Sequence, residues 1–308
     1  MAKKMEWIKK GLIFNTEKNF SWMQTHAAVP FIDKLDKDNF RIYFSPRDQN
    51  NQASIGFIEI NMKNPKEILS ISNEPILTVG KLGSFDENGV MGTSLINFNN
   101  KKYLYYVGWN IGKSIPFRWS IGLAISEDDG KTFQKFSNGP ILDRNYIDQY
   151  MVSSPTVIFD GGKFKMYYLS ILQCELQDGK FKAPYNIRYA ESQDGINWNR
   201  EGKVAVNFQH PNEYAIARPS IIKENNLYRM WYSYAIEKYK IGYAESKDGV
   251  IWKRMDDQVG IDVSSSGWDS ISIEYPNVFE YDDKKYMLYC GNDFGKTGFG
   301  YAVLNETI

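Results

Sequence analysis

Glu274 and Tyr275 stand directly before Pro276, and Arg218 directly before Pro219, in segments that otherwise read as buried strand, IEYPNVF and ARPSII. A charge on such a strand costs desolvation free energy unless it is paired or faces a wet cavity. His26 lies four residues before Pro30, at a comparable place. Further acids occupy the loops that lead into strands: Asp86, Glu87, Asp148, Glu213 and Asp269. Arg47 and Asp48 end one aromatic strand, and Asn292 and Asp293 hold the like place in another. A placed carboxyl can work as general acid or base, an arginine binds anionic oxygens, and an imidazole titrates near neutrality. Glu274 is the expected proton-transfer group, with Glu213 and Asp148 as reserve acids. Arg218 and Arg47 are expected to bind an anionic group, and His26 and Tyr275 to position the substrate. Asp48, Glu87 and Trp109 complete the expected substrate-binding set.

Each residue has a structural alternative. Asp86, Asp148 and Asp269 can cap turns. Arg47 and Asp48 can pair with each other, and His26 can be a satisfied buried imidazole. Arg218 and Glu274 are harder to explain this way, because even paired they mark the polar heart of the fold.

A repeat positions these side chains. HAAVPFIDKLDKDNFRIYFSPRD, GTSLINFNNKKYLYYVGWN, SSPTVIFDGGKFKMYYLS, ARPSIIKENNLYRMWYSY and EYPNVFEYDDKKYMLYCGND each open near Pro, turn, and continue as an aromatic-rich strand. The aligned positions Pro30, Ser94, Pro155, Pro219 and Pro276 are spaced by 64, 61, 64 and 57 residues. Third strands follow: IGFIEI, IGLAIS, IRYAES, IGYAES and FGYAVL. Turns such as SQDGINW and SKDGVIW then lead to a fourth strand, with Gly195 and Gly249 expected at φ > 0. The recurring Pro fits a first strand with one unpaired edge, where a missing N–H is tolerated.

Four antiparallel strands per repeat predict an all-β, five-bladed β-propeller forming a single domain over 1–308. The blades span roughly 16–80, 81–145, 146–208, 209–264, and 265–308 plus 5–15. The last repeat lacks a fourth strand. Glu6-Trp7-Ile8-Lys9 resembles Asn197-Trp198-Asn199-Arg200 of a fourth-strand segment, so the N-terminal strand is expected to close the ring.

The repeat order, the strand openings at Pro and the S-x-D-G-x-x-W turns resemble the five-bladed β-propeller glycoside hydrolase superfamily. That group includes arabinanase-like and invertase-like enzymes and the related mannoside phosphorylases. The resemblance covers the whole chain and implies a site at the axial mouth, on the inner strands. SEDDGKTF also matches the Asp-box turn of sialidases, a structural motif. The resemblance further implies carboxylates before the first-blade Pro and in the second or third blade. The matching residues here are Ala28 and Val29, Gly92 and Thr93, and Ser153 and Ser154, none of them acidic. The chain therefore reads as a divergent member.

The 37 basic and 37 acidic side chains leave no net charge and no basic stripe for nucleic acid. Cys174 and Cys290 are too few for a disulfide framework. No cofactor or metal motif is evident, and no apolar run reaches membrane-spanning length. The start, MAKKMEWIKKGLIF, lacks the apolar run of a signal peptide, so a cytoplasmic protein is expected. The partner is expected to be a carbohydrate or sugar-nucleotide small molecule, and the role one in polysaccharide metabolism. Three functions fit: a glycosidase-like enzyme, a glycosyltransferase or phosphorylase acting on a sugar phosphate or sugar nucleotide, and a non-catalytic sugar-binding propeller.

Overall fold

A computed structural model describes residues 4–16 and 20–305. The chain is almost wholly β-structure and divides into two compact units. Met1–Asn51, Gly56–Pro75 and Pro219–Ile308 make the first unit, and Gln52–Ile55 with Ile76–Arg218 make the second.

The first unit opens with β1 (Trp7–Phe14), β2 (Thr25–Lys34), β3 (Asn39–Arg47), β4 (Gly56–Asn61) and β5 (Ile68–Ile71). The second carries β6 (Gly89–Phe98), β7 (Lys101–Asn110), β8 (Arg118–Ser126) and β9 (Gln134–Lys135). It continues with β10 (Val152–Asp160), β11 (Lys163–Ile171), the small hairpin β12 (Glu175–Gln177) and β13 (Lys180–Lys182), β14 (Tyr185–Ser192) and β15 (Asn199–Val206). The unit boundary falls inside β16 (Ala215–Glu224). The first unit then resumes with β17 (Leu227–Ala235), β18 (Tyr239–Ser246), β19 (Lys253–Arg254), β20 (Glu274–Tyr281) and β21 (Lys284–Cys290). A single-turn helix α1 (Asn292–Gly295) and β22 (Phe299–Leu304) complete it.

Strand order in the first unit is β2-β3-β4-β5 and β1-β22-β21-β20, with β17-β18-β19 continuing from β16. In the second unit it is β6-β7-β8-β9, and β10-β11-β14 with β15 on β14. The N-terminal strand therefore does supply the fourth strand of the last sheet. Trp7 lies opposite Leu304, and Phe14 opposite Phe299. Second strands such as β3 and β11 are buried along nearly their whole length, so apolar residues fall on successive positions, as in Ile42-Tyr43-Phe44 and Met166-Tyr167-Tyr168-Leu169, rather than in strict alternation.

The turns behave as their chemistry requires. Gly195 and Gly249 have φ of 73° and 75°, in the left-handed region glycine enters without steric cost. Ser192 Oγ accepts the Gly195 N–H at 2.8 Å, and the Asp194 carboxylate accepts those of Ile196 and Asn197. A Cβ on Gly195 would sit 2.6 Å from the Tyr105 hydroxyl. Gly195→Val should therefore cost about 2–4 kcal/mol, from backbone strain plus overpacking. A denaturant midpoint that does not move would refute this.

The recurring Pro marks more than a sheet edge. The residue before it has positive φ in four of the five first strands: Val29 (53°), Ser154 (45°), Arg218 (52°) and Tyr275 (58°). Pairing register slips at the same place, between Ala28 and Phe31, Ser153 and Thr156, and Glu274 and Asn277. Each is a β-bulge, which bends the strand and re-aims the side chains around it.

A second repeated device pins the sheets. Asp86, Asp148 and Asp269 each accept the hydroxyl of a tyrosine 20 residues on: Tyr106 (2.9 Å), Tyr168 (2.9 Å) and Tyr289 (3.0 Å). A cation from the fourth strand completes each pin: Lys135 (2.6 Å), Arg200 (3.0 Å) and Lys9 (2.7 Å). Tyr232, Asp256 and Arg254 form a variant in which the acid comes after the tyrosine. In all four, the cation stands two residues after a ring, in Phe133-Gln-Lys135, Trp198-Asn-Arg200, Trp252-Lys-Arg254 and Trp7-Ile-Lys9.

Candidate active site

Four of the expected site residues meet in the first unit, where β2, β3, β20 and α1 come together. Glu274 opens β20 opposite Cys290 of β21, and the Cys290 thiol lies 3.6 Å from the Ala27 carbonyl of β2. α1 packs onto β2 at the same level. A Cβ on Gly295 would come within 2.9 Å of the Ala27 carbonyl, so only glycine allows so close an approach. Inside α1, Asp293 (φ 54°, ψ 53°) and Phe294 (φ 61°, ψ 34°) are left-handed, and Gly295 follows at φ 83°. This backbone points the Phe294 N–H at Glu274, whose Oε1 accepts it at 2.5 Å.

Glu274 is only 1% exposed. Burial, reinforced by the nearby Asp293 charge and opposed by the Phe294 N–H, pushes its carboxyl up to about 8. At neutral pH it is a protonated acid. His26, left-handed at φ 62°, hydrogen-bonds Thr25 Oγ1 through Nδ1 at 2.9 Å. Burial and the positive charges of Arg47 and Lys296 lower its imidazole to about 4, against a weaker pull from Asp293. It is therefore neutral at pH 7. Burial also lowers Arg47, with Tyr275 acting against it, and Arg47 donates to Asn51 Oδ1 at 2.8 Å. Tyr275 is fixed by its own N–H, which donates to Ser233 Oγ at 2.7 Å. Its ring stacks near that of Phe294 (6.4 Å, 29°), and Tyr239 packs against both. Asp48, beside Arg47, accepts the Asn50 N–H at 2.8 Å and shapes the turn after β3.

The other expected residues belong to the second unit, in separate surroundings. Asp148, with no exposed surface, is held by Arg188, Arg200, Tyr168 and Ser170. Glu213 closes a turn by accepting the Gln209 N–H at 2.8 Å. Glu87 accepts the Gly83 N–H at 2.6 Å, and the Trp109 indole lies against Gly89. Arg218 is 1% exposed and donates to Thr156 Oγ1 at 3.1 Å.

Phe294 and Lys296 were not expected. The only hint in the sequence is the turn-rich stretch GNDFGKTG after β21. Grooves of about 540 Å³ beside Tyr234 and Asp262, and about 390 Å³ beside Lys101 and Asp128, do not include Glu274. Among the described residues, no cluster of three or more His, Cys, Asp or Glu side chains could hold a metal ion. None of the described helices is long and apolar enough to cross a membrane.

The fold is that of solved glycoside hydrolases. One titled "Glycoside hydrolase" superposes with a TM-score of 0.77 at 19% identity, covering 99% of this chain and 93% of that one. An exo-1,5-alpha-L-arabinanase from a bovine ruminal metagenomic library superposes with a TM-score of 0.63 at 15% identity, over 91% and 92% of the two chains. The chain belongs to the same family as uncharacterized protein Rv1502 of Mycobacterium tuberculosis, with 40% identity over 98% of this chain and 100% of that protein. A beta-1,2-mannobiose phosphorylase of Thermoanaerobacter sp. is 32% identical over 108 residues, covering 32% of this chain and 36% of the phosphorylase. No family model matches the chain.

Proposed function

We propose that the chain is a carbohydrate-active enzyme in which Glu274 is the general acid at a glycosidic bond. The observation that carries this is a buried carboxyl, raised to about 8 and bonded by the Phe294 N–H, on elements that also carry a neutral imidazole, a guanidinium and the Tyr275–Phe294 ring pair. An acid that keeps its proton at neutral pH can deliver it to a departing glycosidic oxygen. Arg47 and Lys296 suit an anionic group on the substrate, and Tyr275 and Phe294 offer faces for a sugar ring. Arg218 is assigned to a structural task through Thr156. Asp148 and Glu213 are assigned to holding the fold.

The proposal takes the chain as one domain, a five-bladed propeller closed by β1, with the bulges of the first strands facing its axis. The five four-strand repeats and the β1–β22 pairing support it. A cytoplasmic place in polysaccharide metabolism is part of the same reading. The partial likeness to a mannobiose phosphorylase, together with the two cations, favours phosphorolysis as a second reading.

The test is a thermal-shift screen against sugars, sugar phosphates and sugar nucleotides, followed by product analysis of each hit. Turnover that yields a free or phosphorylated sugar is expected. Binding without turnover would make the protein a sugar-binding propeller instead.

A further inference from the structure

Glycoside hydrolysis needs two carboxyl groups with different tasks, one giving a proton and one ionised to receive it. The strand positions at which related enzymes carry the second carboxylate hold alanine, valine, glycine, threonine and serine here. The fold brings Asp293 to Glu274 by another route, close enough for its charge to act on the Glu274 carboxyl.

We propose that Asp293 is the second catalytic carboxylate, the base that takes a proton from the attacking water. The inference rests on the reading of Glu274 as the acid. Asp293 immediately precedes Phe294, whose N–H is bonded to Glu274. Covalent geometry from that nitrogen back to the Asp293 side chain keeps the two carboxyl carbons within about 9 Å. That bound admits the separation of roughly 6.5–9.5 Å used by inverting enzymes, which leaves room for a water. The two environments are opposite. Glu274 is 1% exposed, whereas Asp293 is exposed on a turn. Asp293 and Phe294 are both left-handed non-glycine residues, a conformation with a cost that the packing of Gly295 on Ala27 enforces.

The step balances. The Glu274 O–H proton passes to the glycosidic oxygen as its bond to the anomeric carbon breaks, and the leaving group departs as an alcohol. Water bonds to the anomeric carbon from the opposite face and gives a proton to Asp293. Exchange with solvent returns both carboxyl groups to their starting forms.

The experiment compares wild type, Asp293→Asn, Asp293→Ala and Glu274→Gln on a panel of disaccharides and alkyl glycosides, whose leaving groups need a proton, with and without sodium azide. Asn is at ease in the left-handed region, so Asp293→Asn should keep the wild-type melting temperature. It should lose turnover by about 10²-fold or more. Azide needs no base, and should restore release of the leaving alcohol in Asp293→Ala but not in Glu274→Gln, with a glycosyl azide as product. If Asp293→Asn stays within about threefold of wild type while Glu274→Gln is lost, the assignment of Asp293 is overturned and the reading of Glu274 stands. If Glu274→Gln is fully active, that reading fails instead. A wild type that cleaves no member of the panel overturns both.

Discussion

Glu274→Gln should remove a pH dependence of stability as well as turnover. The folded carboxyl titrates near 8, against 4.5 as an isolated group. Between those values the unfolded chain has lost a proton that the folded chain keeps, so wild-type stability falls as pH rises. His26 acts in the opposite direction. Its folded value near 4 lies below 6.5, so between about 4 and 6.5 it makes stability rise with pH. The two oppose each other below pH 6.5, and Glu274 acts alone from there to 8. Over that window wild type should lose about 2 kcal/mol, at roughly 1.4 kcal/mol per pH unit, and Glu274→Gln should lose almost none. Below about pH 8 turnover should fall by about 10²-fold or more, because an amide has no proton to transfer. Parallel stability profiles for the two proteins from pH 6.5 to 8 would show that Glu274 does not titrate there.

Deletion of residues 1–15 should be still more damaging. It removes β1, and with it the buried Trp7, Ile13 and Phe14, which are 5–8% exposed. Burial of three such side chains stabilises by about 5–9 kcal/mol, a large part of the 5–15 kcal/mol that holds a typical domain together. The deletion also leaves the buried Asp269 carboxylate without Lys9, and exposes the edge of β22. The truncated chain should be insoluble, or melt far below the full-length protein. Unchanged melting of soluble truncated protein would mean that β1 contributes little.

Much of the fold was legible because it repeats. The Pro-led strand, the aromatic strand and the Asp-Gly turn recur, and one divergent copy is read through its neighbours. The likeness of Trp7-Ile8-Lys9 to Trp198-Asn199-Arg200 placed β1 correctly, and the structure shows why. The cation two residues after the ring is the one that meets the buried Asp. The matching 20-residue step from Asp to Tyr is also present in the sequence, but nothing local links its ends. The bulges were hidden for a different reason. Pro signals an edge, whereas a bulge depends on the register of the partner strand. The left-handed run at Asp293 and Phe294 was hidden likewise, since it is fixed by contact between Gly295 and Ala27, more than 200 positions away in the chain.

The bulge before Pro30 also decides which side chains that position tolerates. Val29 sits there at φ 53°, where a β-branched residue is a steric outlier and aspartate or asparagine is better tolerated. The backbone at that position would therefore accept an acid more readily than the valine it holds. Nothing in the main-chain geometry forbids a carboxylate there, but the position is 1% exposed, so an acid would stay charged there only with a partner.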